Sequence, residues 1–239
     1  MRFSVKTQKR EGGRDMNFAA PQSRRISRVA VAMAASTLLA WQSWAAPRGG
    51  QLTYAEPILP DTYNPITTSD NETSLRLSEL LFESLVFIDY KGEVKGRLAE
   101  KWNTFNGNQR ITFYLRKDVK WHDGVPFTAS DVKFTYDAIM DQMSDVRPET
   151  RQALSVIKSV TVRGDNVITF DFASSVAEPE RRFLFKILPE HAFEGKTALS
   201  KFDKFSKNPI GTGYYKFDRE SKNHDVMLSA FKDHYGGAA

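Results

Sequence analysis

The sequence predicts a fold that mixes α-helices and β-strands, of the α/β or α+β class, and three observations lead to this prediction. Segments of alternating hydrophobicity, typical of strands, stand beside segments with apolar residues at helical spacing. The two kinds of segment do not follow the regular strand–helix–strand order of a purely parallel sheet. Hydrophobic residues make up 41% and aromatic residues 12% of the 239 residues, which argues against a disordered chain.

The first predicted elements lie on either side of a loop rich in proline and asparagine. Gln51–Glu56 alternates between polar and apolar residues, which predicts a strand. After the loop, Ser69 or Asp70 is expected to cap a helix that continues to about Ser84. Leu85–Tyr90 then predicts a second strand.

The middle of the chain predicts a meander of strands with one long helix. Arg110–Arg116 alternates and is rich in β-branched and aromatic residues, so it predicts a strand. Ser130 is expected to start a helix over Asp131–Gln142. The residues expected on its buried face are Val132, Tyr136, Ile139 and Met143. The remaining predictions are two hairpins, Ser159–Arg163 with Val167–Phe172 and Gly213–Arg219 with His224–Phe231, and two short helices, Pro189–Phe193 and Ala198–Phe205.

The positive charge of the chain is concentrated near its start, and this pattern predicts an export signal. The net charge is +5, but residues 1–45 hold eight of the 34 basic and two of the 29 acidic residues, so the rest of the chain carries −1. Three arginines precede the short apolar run Val29–Ala40, and cleavage is expected after Ala45. The Sec and twin-arginine routes both stay open, and the Sec route is favoured because Ser27 stands where a twin-arginine signal prefers phenylalanine. Met16 is a possible true start. Because residues 46–239 are nearly neutral, no nucleic-acid partner is predicted.

The residues with catalytic potential do not assemble an enzyme signature. The chain has no cysteine, none of its four histidines shows metal-ligand spacing, and the G-x-S-x-G and G-K-[ST] motifs are absent. No metal, cofactor or catalytic residue is therefore predicted. His122 and Asp123 are adjacent, but neighbours on an extended segment point to opposite sides, so Asp123-Gly124 is interpreted as a turn.

Five stretches together carry a family resemblance. They are Tyr63-Asn64-Pro65, Leu80–Trp102, Ile111–Ile139, Ile187–Gly195 and Asn208–Phe217. In this order and spacing they closely resemble the family 5 extracellular solute-binding proteins, the oligopeptide and dipeptide receptors of ABC importers. One departure is Tyr214, which stands where the family pattern usually has proline.

The resemblance implies a type II periplasmic binding protein fold, a two-lobed "Venus flytrap" with an extra domain. Residues 46–75 would begin the ligand-binding lobe I, residues 76–200 would form the extra domain, and residues 201–239 would return to lobe I. The block around Trp121–Gly124 would be a fold signature of the extra domain. Because family members are much longer, the resemblance implies a chain truncated before the second lobe.

The resemblance also implies a function, namely capture of peptides in the periplasm and their delivery to the permease subunits of an ABC importer by a monomeric receptor. The residues that match the contact strand and following loop of lobe I are Tyr54, Ala55, Glu56, Thr68 and Ser69. Glu56 is expected to be a solvated charge able to meet a peptide amine. Two alternatives stay open. One is a receptor for a nickel chelate, heme or sugar, and the other is a periplasmic hydrolase using His122 and Asp123.

Overall fold

The computed structural model of the chain describes residues 2–7, 50–67, 70–200 and 203–237. The apolar run Val29–Ala40, the expected cleavage site at Ala45 and the alternative start at Met16 lie outside the described residues. The helices are α1 (Glu72–Leu81), α2 (Ala129–Met140) and α3 (Pro148–Leu154), with short 3-10 helices at Pro179–Phe183, Glu190–Phe193 and Phe205–Lys207. The strands are β1 (Arg2–Thr7), β2 (Gly50–Ala55), β3 (Val86–Ile88), β4 (Val94–Gly96), β5 (Ala99–Phe105), β6 (Arg110–Leu115), β7 (Ile157–Arg163), β8 (Val167–Phe172), β9 (Tyr215–Glu220) and β10 (Val226–Ala230).

These strands form two four-stranded sheets and one hairpin. The first sheet has the order β2-β1-β10-β9, with β1 antiparallel to β2 and parallel to β10. The second sheet is fully antiparallel with the order β5-β6-β8-β7. The strands β3 and β4 form the separate hairpin. The mixture of helices and antiparallel strands confirms the predicted mixed class.

The core of the second sheet is aromatic. In β8 every second residue is buried, and Phe170 packs its ring on Phe183 at a centroid distance of 4.5 Å. Phe113 of β6 contacts the same Phe183 ring edge-on at 4.7 Å. Since alternate residues of a strand share one face, β6 and β8 present these rings to the same core, to which Ala138 and Ile139 of α2 also belong.

The predicted helices α1 and α2 need corrections at both ends, since α1 ends at Leu81 rather than at about Ser84 and α2 ends at Met140 rather than at Gln142. The N-cap of α1 is Asn71, whose side chain accepts a hydrogen bond from the Ser74 amide at 3.0 Å, rather than Ser69 or Asp70. The N-cap of α2 is Thr128 rather than Ser130. The prediction that Met143 belongs to the buried face is wrong, because α2 ends at Met140 and the Met143 side chain is 78% exposed.

The predicted strands are all confirmed, with ends shifted by at most two residues. The two hairpins appear as β7 with β8 and β9 with β10, and the 3-10 helix Glu190–Phe193 confirms the first short helix. The predicted helix over Ala198–Phe205 is wrong, because within its described part only a 3-10 turn begins, at Phe205. The sequence did not predict strands β1, β4 and β5 or helix α3.

Candidate functional site

The proposed contact strand is β2, and the structure describes three of its five expected ligand residues. Tyr54 is 55% exposed and Ala55 is exposed beside it, whereas Glu56 is 5% exposed. Thr68 and Ser69 lie outside the described residues. In the described part of the chain β2 is the edge strand of its sheet, so its outer side faces away from β1.

Glu56 is not the solvated charge that its place after a strand predicts. Its carboxylate is buried and accepts two hydrogen bonds from Arg76 on α1, from Nε to Oε1 at 2.5 Å and from the second guanidinium nitrogen to Oε2 at 2.6 Å. A guanidinium group matches the two oxygens of a carboxylate, so both oxygens of Glu56 keep a charge-assisted hydrogen bond although the side chain is buried. The sequence shows Arg76 only as a surface partner of Glu72 four residues away, so this long-range pair was missed.

The loop after β2 is fastened to the first turns of α1 by polar side chains. The Asn71 side-chain amide donates to the Leu59 carbonyl at 2.8 Å, and the Thr73 hydroxyl donates to the Ile58 carbonyl at 2.9 Å. The Ser74 hydroxyl donates to Asp61 Oδ1 at 2.6 Å. Together with the Arg76 pair, these bonds give the loop one defined path beside the contact strand.

The far end of this loop is fixed to strand β9. Tyr63 donates its hydroxyl to Glu220 Oε2 at 2.8 Å and packs its ring 5.1 Å from that of Phe217. Asn64 accepts a hydrogen bond from the Ile66 amide at 3.1 Å, which makes the short turn that asparagine favours. The Tyr63-Asn64-Pro65 motif is therefore a structural corner, with its side chains directed into the protein.

His122 and Asp123 do not form a catalytic pair. His122 Nδ1 accepts a hydrogen bond from the Gly211 amide at 3.1 Å, which places the ring proton on Nε2, where it is donated to the Gly213 carbonyl at 3.0 Å. Burial of the ring lowers the pKa of His122 to about 4. The imidazole is therefore neutral at pH 7, and both of its nitrogens are used to bind the loop of Gly211 and Gly213.

Asp123 instead contacts a different histidine. Its Oδ2 lies 2.7 Å from Nε2 of His191, and each side chain is 32% exposed. Nearby, Asp131 of α2 accepts hydrogen bonds from the amides of Thr128 at 2.8 Å and Glu190 at 2.9 Å. The conspicuous block around Trp121–Gly124 therefore joins separate segments of the fold, which agrees with its expected role as a fold signature.

A second buried charge lies just after α1. Glu83 Oε1 accepts a hydrogen bond from the Tyr235 hydroxyl at 3.0 Å and lies 3.7 Å from Arg97 and 3.5 Å from Nε2 of His234. His234 in turn stacks on Tyr214 at a centroid distance of 3.8 Å. The unusual tyrosine at position 214 thus has a defined partner. Among the described residues no group of three or more His, Asp or Glu side chains is placed to hold a metal ion.

Comparison with known proteins places this geometry in one family. The family model of the bacterial extracellular solute-binding proteins, family 5 (middle), matches residues 93–239. The oligopeptide-binding protein AppA of Bacillus subtilis is 28% identical over 195 residues, which are 80% of this chain and 35% of AppA. The dipeptide-binding protein of Escherichia coli is 28% identical over 223 residues, or 84% of this chain and 41% of that protein. The chain therefore spans between a third and about two fifths of these relatives.

Solved structures show the same fold. The structure of AppA from Bacillus subtilis in complex with a nonapeptide matches 77% of this chain and 36% of AppA, with a TM-score of 0.66 and 27% identity. NikZ from Campylobacter jejuni in complex with Ni(L-His) matches 73% of this chain and 34% of its own, with a TM-score of 0.65 and 28% identity. None of the helices within the described ranges is long and apolar enough to cross a membrane. The chain belongs to the bacterial extracellular solute-binding proteins of family 5, whose type II periplasmic binding protein fold it shares in part.

Proposed function

We propose that this chain is part of the substrate-binding component of an ABC importer that captures oligopeptides or dipeptides in the periplasm and delivers them to the permease. The observation that carries the proposal is the likeness to proteins named for oligopeptide and dipeptide binding. The fold shared with AppA, whose structure contains a nonapeptide, adds to it. In this proposal the protein makes and breaks no covalent bond.

The proposed ligand contacts are Tyr54, Ala55, Thr68 and Ser69, and Glu56, the fifth residue of the expected set, is proposed to support them from within the protein. An extended peptide offers backbone amides and carbonyls at the spacing of a strand, so the exposed edge of β2 is a suitable surface for it. The exposed ring of Tyr54 would cover a peptide side chain or backbone segment. Buried Glu56 would support the end of this strand.

The domain division and the export route belong to the same proposal. Residues 46–75 would begin lobe I, residues 76–200 would form the extra domain, and residues 201–239 would return to lobe I. The four-stranded sheet β5-β6-β8-β7 and helix α2 lie wholly within residues 76–200, which agrees with an extra domain there. Export as a monomer, with cleavage after Ala45, would bring the receptor to its ligand and would also remove strand β1, which lies between β2 and β10 in the first sheet.

A nickel chelate is the second candidate ligand, because NikZ was solved with Ni(L-His) and resembles this chain as closely as AppA does. The hydrolase alternative loses its main support. His122 and Asp123 each bind a different partner, and relatives of this chain are named for binding rather than catalysis. If the hydrolase alternative were correct, His122→Ala would abolish a hydrolytic activity of the parent protein.

Calorimetry on the purified chain tests the choice between ligands. Dialanine, a nonapeptide and Ni(L-His) would be titrated into the parent, into Tyr54→Ala and into the matched control Tyr90→Ala, whose ring is 93% exposed on the β3–β4 turn. We expect only weak binding of a peptide, because the chain spans about a third of AppA, with a further loss in Tyr54→Ala and no change in Tyr90→Ala. Stronger binding of Ni(L-His) than of either peptide would replace the proposal with the nickel candidate, and binding of none of the three would contradict it.

A further inference from the structure

The end of the contact strand is held by an ion pair whose two partners are 20 residues apart in the chain. Glu56 directly follows β2, and Arg76 lies in the second turn of α1. The Glu56 side chain is 2% exposed and both of its oxygens accept a hydrogen bond from the guanidinium of Arg76, at 2.5 and 2.6 Å. The ion pair therefore ties the exit of the strand to the helix.

The geometry makes Glu56 a poor partner for a ligand. An ammonium group approaching this carboxylate would have to displace two charge-assisted hydrogen bonds in a buried setting. The charge of Glu56 is already balanced by Arg76, whose remaining guanidinium nitrogen reaches Glu72 Oε2 at 3.3 Å on the exposed side of the helix. A neutral part of a ligand, by contrast, can lie beside the pair without displacing either of these hydrogen bonds.

The same ion pair positions the ligand-contact backbone. Within the described residues, the loop from Glu56 to α1 is also attached to the start of the helix through Asn71, Thr73 and Ser74. Arg76 binds Glu56 at the strand end of this loop, so it fixes the direction in which the chain leaves β2 directly after Tyr54 and Ala55. Residues that lock the geometry of a binding surface lower the ordering cost of binding.

We propose that Arg76 is a positioning residue that holds the end of the contact strand, and that Glu56 is its internal counter-ion rather than the partner of a ligand amine. The inference deepens the proposed function, on which it rests, because it assigns the neutral main chain of a peptide, and not its ammonium group, to this end of β2.

Hydrogen exchange on the ligand-free chain tests the positioning role. The amides of Asp61, Tyr63, Asn64 and Ile66 are hydrogen-bonded in the loop and report on its order. We expect Arg76→Gln to raise their exchange on the order of tenfold, and the double variant Glu56→Gln/Arg76→Gln to exchange no faster than Arg76→Gln alone. Glu72→Gln is the matched control, because Glu72 contacts the same guanidinium with a side chain that is 74% exposed. Parental exchange in Arg76→Gln, or an equal rise in Glu72→Gln, would overturn the positioning role.

A pair of ligands tests the counter-ion role. Trialanine and N-acetyl-trialanine differ in the ammonium group, so the ratio of their affinities measures how much that group contributes. We expect Glu56→Gln to weaken both ligands alike and to leave this ratio unchanged. A fall of the ratio on the order of tenfold in Glu56→Gln, about 1.4 kcal/mol, would show that Glu56 binds the amine and would overturn the assignment. Failure of every variant and of the parent to bind either ligand would contradict the proposed function instead, and the exchange result would still decide the role of Arg76.

Discussion

His122 looks catalytic in the sequence, but in the structure it joins its own segment to the loop of Gly211 and Gly213, and we call these contacts the His122 joint. Its imidazole accepts from the Gly211 amide and donates to the Gly213 carbonyl, while its own backbone amide donates to the Gly211 carbonyl at 2.9 Å. The ring also meets Phe231 edge-on at a centroid distance of 5.0 Å. Only a neutral imidazole can accept through one nitrogen and donate through the other, so this joint requires an unprotonated His122.

The His122 joint predicts a defined loss of stability in acid. Burial lowers the pKa of His122 to about 4 in the folded protein, whereas the unfolded chain has the ordinary value of 6.5. Between these pH values the unfolded state binds more protons, so the stabilisation is complete above pH 6.5 and is lost as the pH falls towards 4. The difference corresponds to about 3 kcal/mol in the free energy of unfolding.

Urea unfolding of the parent and of His122→Gln between pH 7.5 and pH 4 checks this prediction. The variant should be less stable than the parent at neutral pH and should approach it as the pH falls, because glutamine does not titrate. Comparing the two proteins at each pH cancels the contribution of all other groups. Curves that fall in parallel would show that His122 does not carry the pH dependence.

At the residue scale, the sequence was informative about contacts between neighbouring residues and uninformative about contacts between distant ones. The sequence indicated that His122 and Asp123 do not form a dyad, because adjacent residues diverge. It could not show that Glu56 is buried against Arg76 or that Asp123 contacts His191, since these partners are 20 and 68 residues apart. Whether a charged side chain at the end of a strand is solvated or buried depends on which distant residues pack against it. The local sequence does not identify those residues.

The first turn of helix α2 contains a carboxylate that accepts hydrogen bonds from other segments of the chain as well as from the N-cap residue. Asp131 in the first turn accepts from the Thr128 amide, from the Glu190 amide and, at 3.3 Å, from Nε1 of the buried Trp121. Asp131→Ala would leave these donors without their acceptor in a buried site, which we expect to cost about 3 kcal/mol of unfolding free energy. Thermal unfolding followed by circular dichroism measures the loss.

The matched control for Asp131 is another aspartate of α2. Asp137 pairs with Lys133 four residues before it on the solvent side, where its side chain is 39% exposed. An exposed pair of this kind contributes little, so Asp137→Ala should change the stability by no more than about 0.5 kcal/mol. Similar losses in the two variants would mean that general helix electrostatics, and not the buried hydrogen bonds, explain the effect.

The end of α1 is a place where space, and not backbone conformation, requires glycine. A Cβ atom on Gly211 would lie 1.8 Å from the carbonyl oxygen of Leu81, so Gly211→Ala should cost about 3 kcal/mol or more. Gly164 lies in the β7–β8 turn with a φ of +58° and no neighbouring atom within 4 Å of a Cβ, so Gly164→Ala should cost only about 1 kcal/mol. Melting temperatures of the two variants test this contrast, which equal losses would refute.

Elements were predicted well where one face is buried and the other is not. Strand β8 alternates strictly and was found within its predicted bounds. Strand β5 was missed because most of its residues are exposed, so it shows no alternation and owes its existence to pairing with β6. The C-terminal end of α2 was placed too far because Met143 continues the helical spacing, although the chain has already turned at Asp141.

Across the whole molecule, Glu83 joins parts of the chain that the proposed division assigns to different domains. Its backbone carbonyl accepts from the Ile187 amide at 2.9 Å, and its carboxylate faces Arg97 and the Tyr235 hydroxyl. Burial and the adjacent Glu83 raise the pKa of Tyr235, which therefore stays a hydrogen-bond donor. With the His122 joint, this contact ties residues 203–237 to residues 70–200.

A chain tied together in this way should unfold as one unit, and Tyr235→Phe tests this. The variant removes one hydroxyl from a buried carboxylate, which we expect to cost about 1–3 kcal/mol. If the contacts of Glu83 and His122 make the described chain unfold as one unit, hydrogen exchange will rise in β10 and also in the distant strands β6 and β8. The exchange rate will rise by the same factor at every amide whose exchange requires global unfolding. Tyr90→Phe, on a fully exposed ring, should leave all of these rates unchanged. Faster exchange confined to residues 226–237 would show instead that this segment opens on its own while the sheet β5-β6-β8-β7 stays folded.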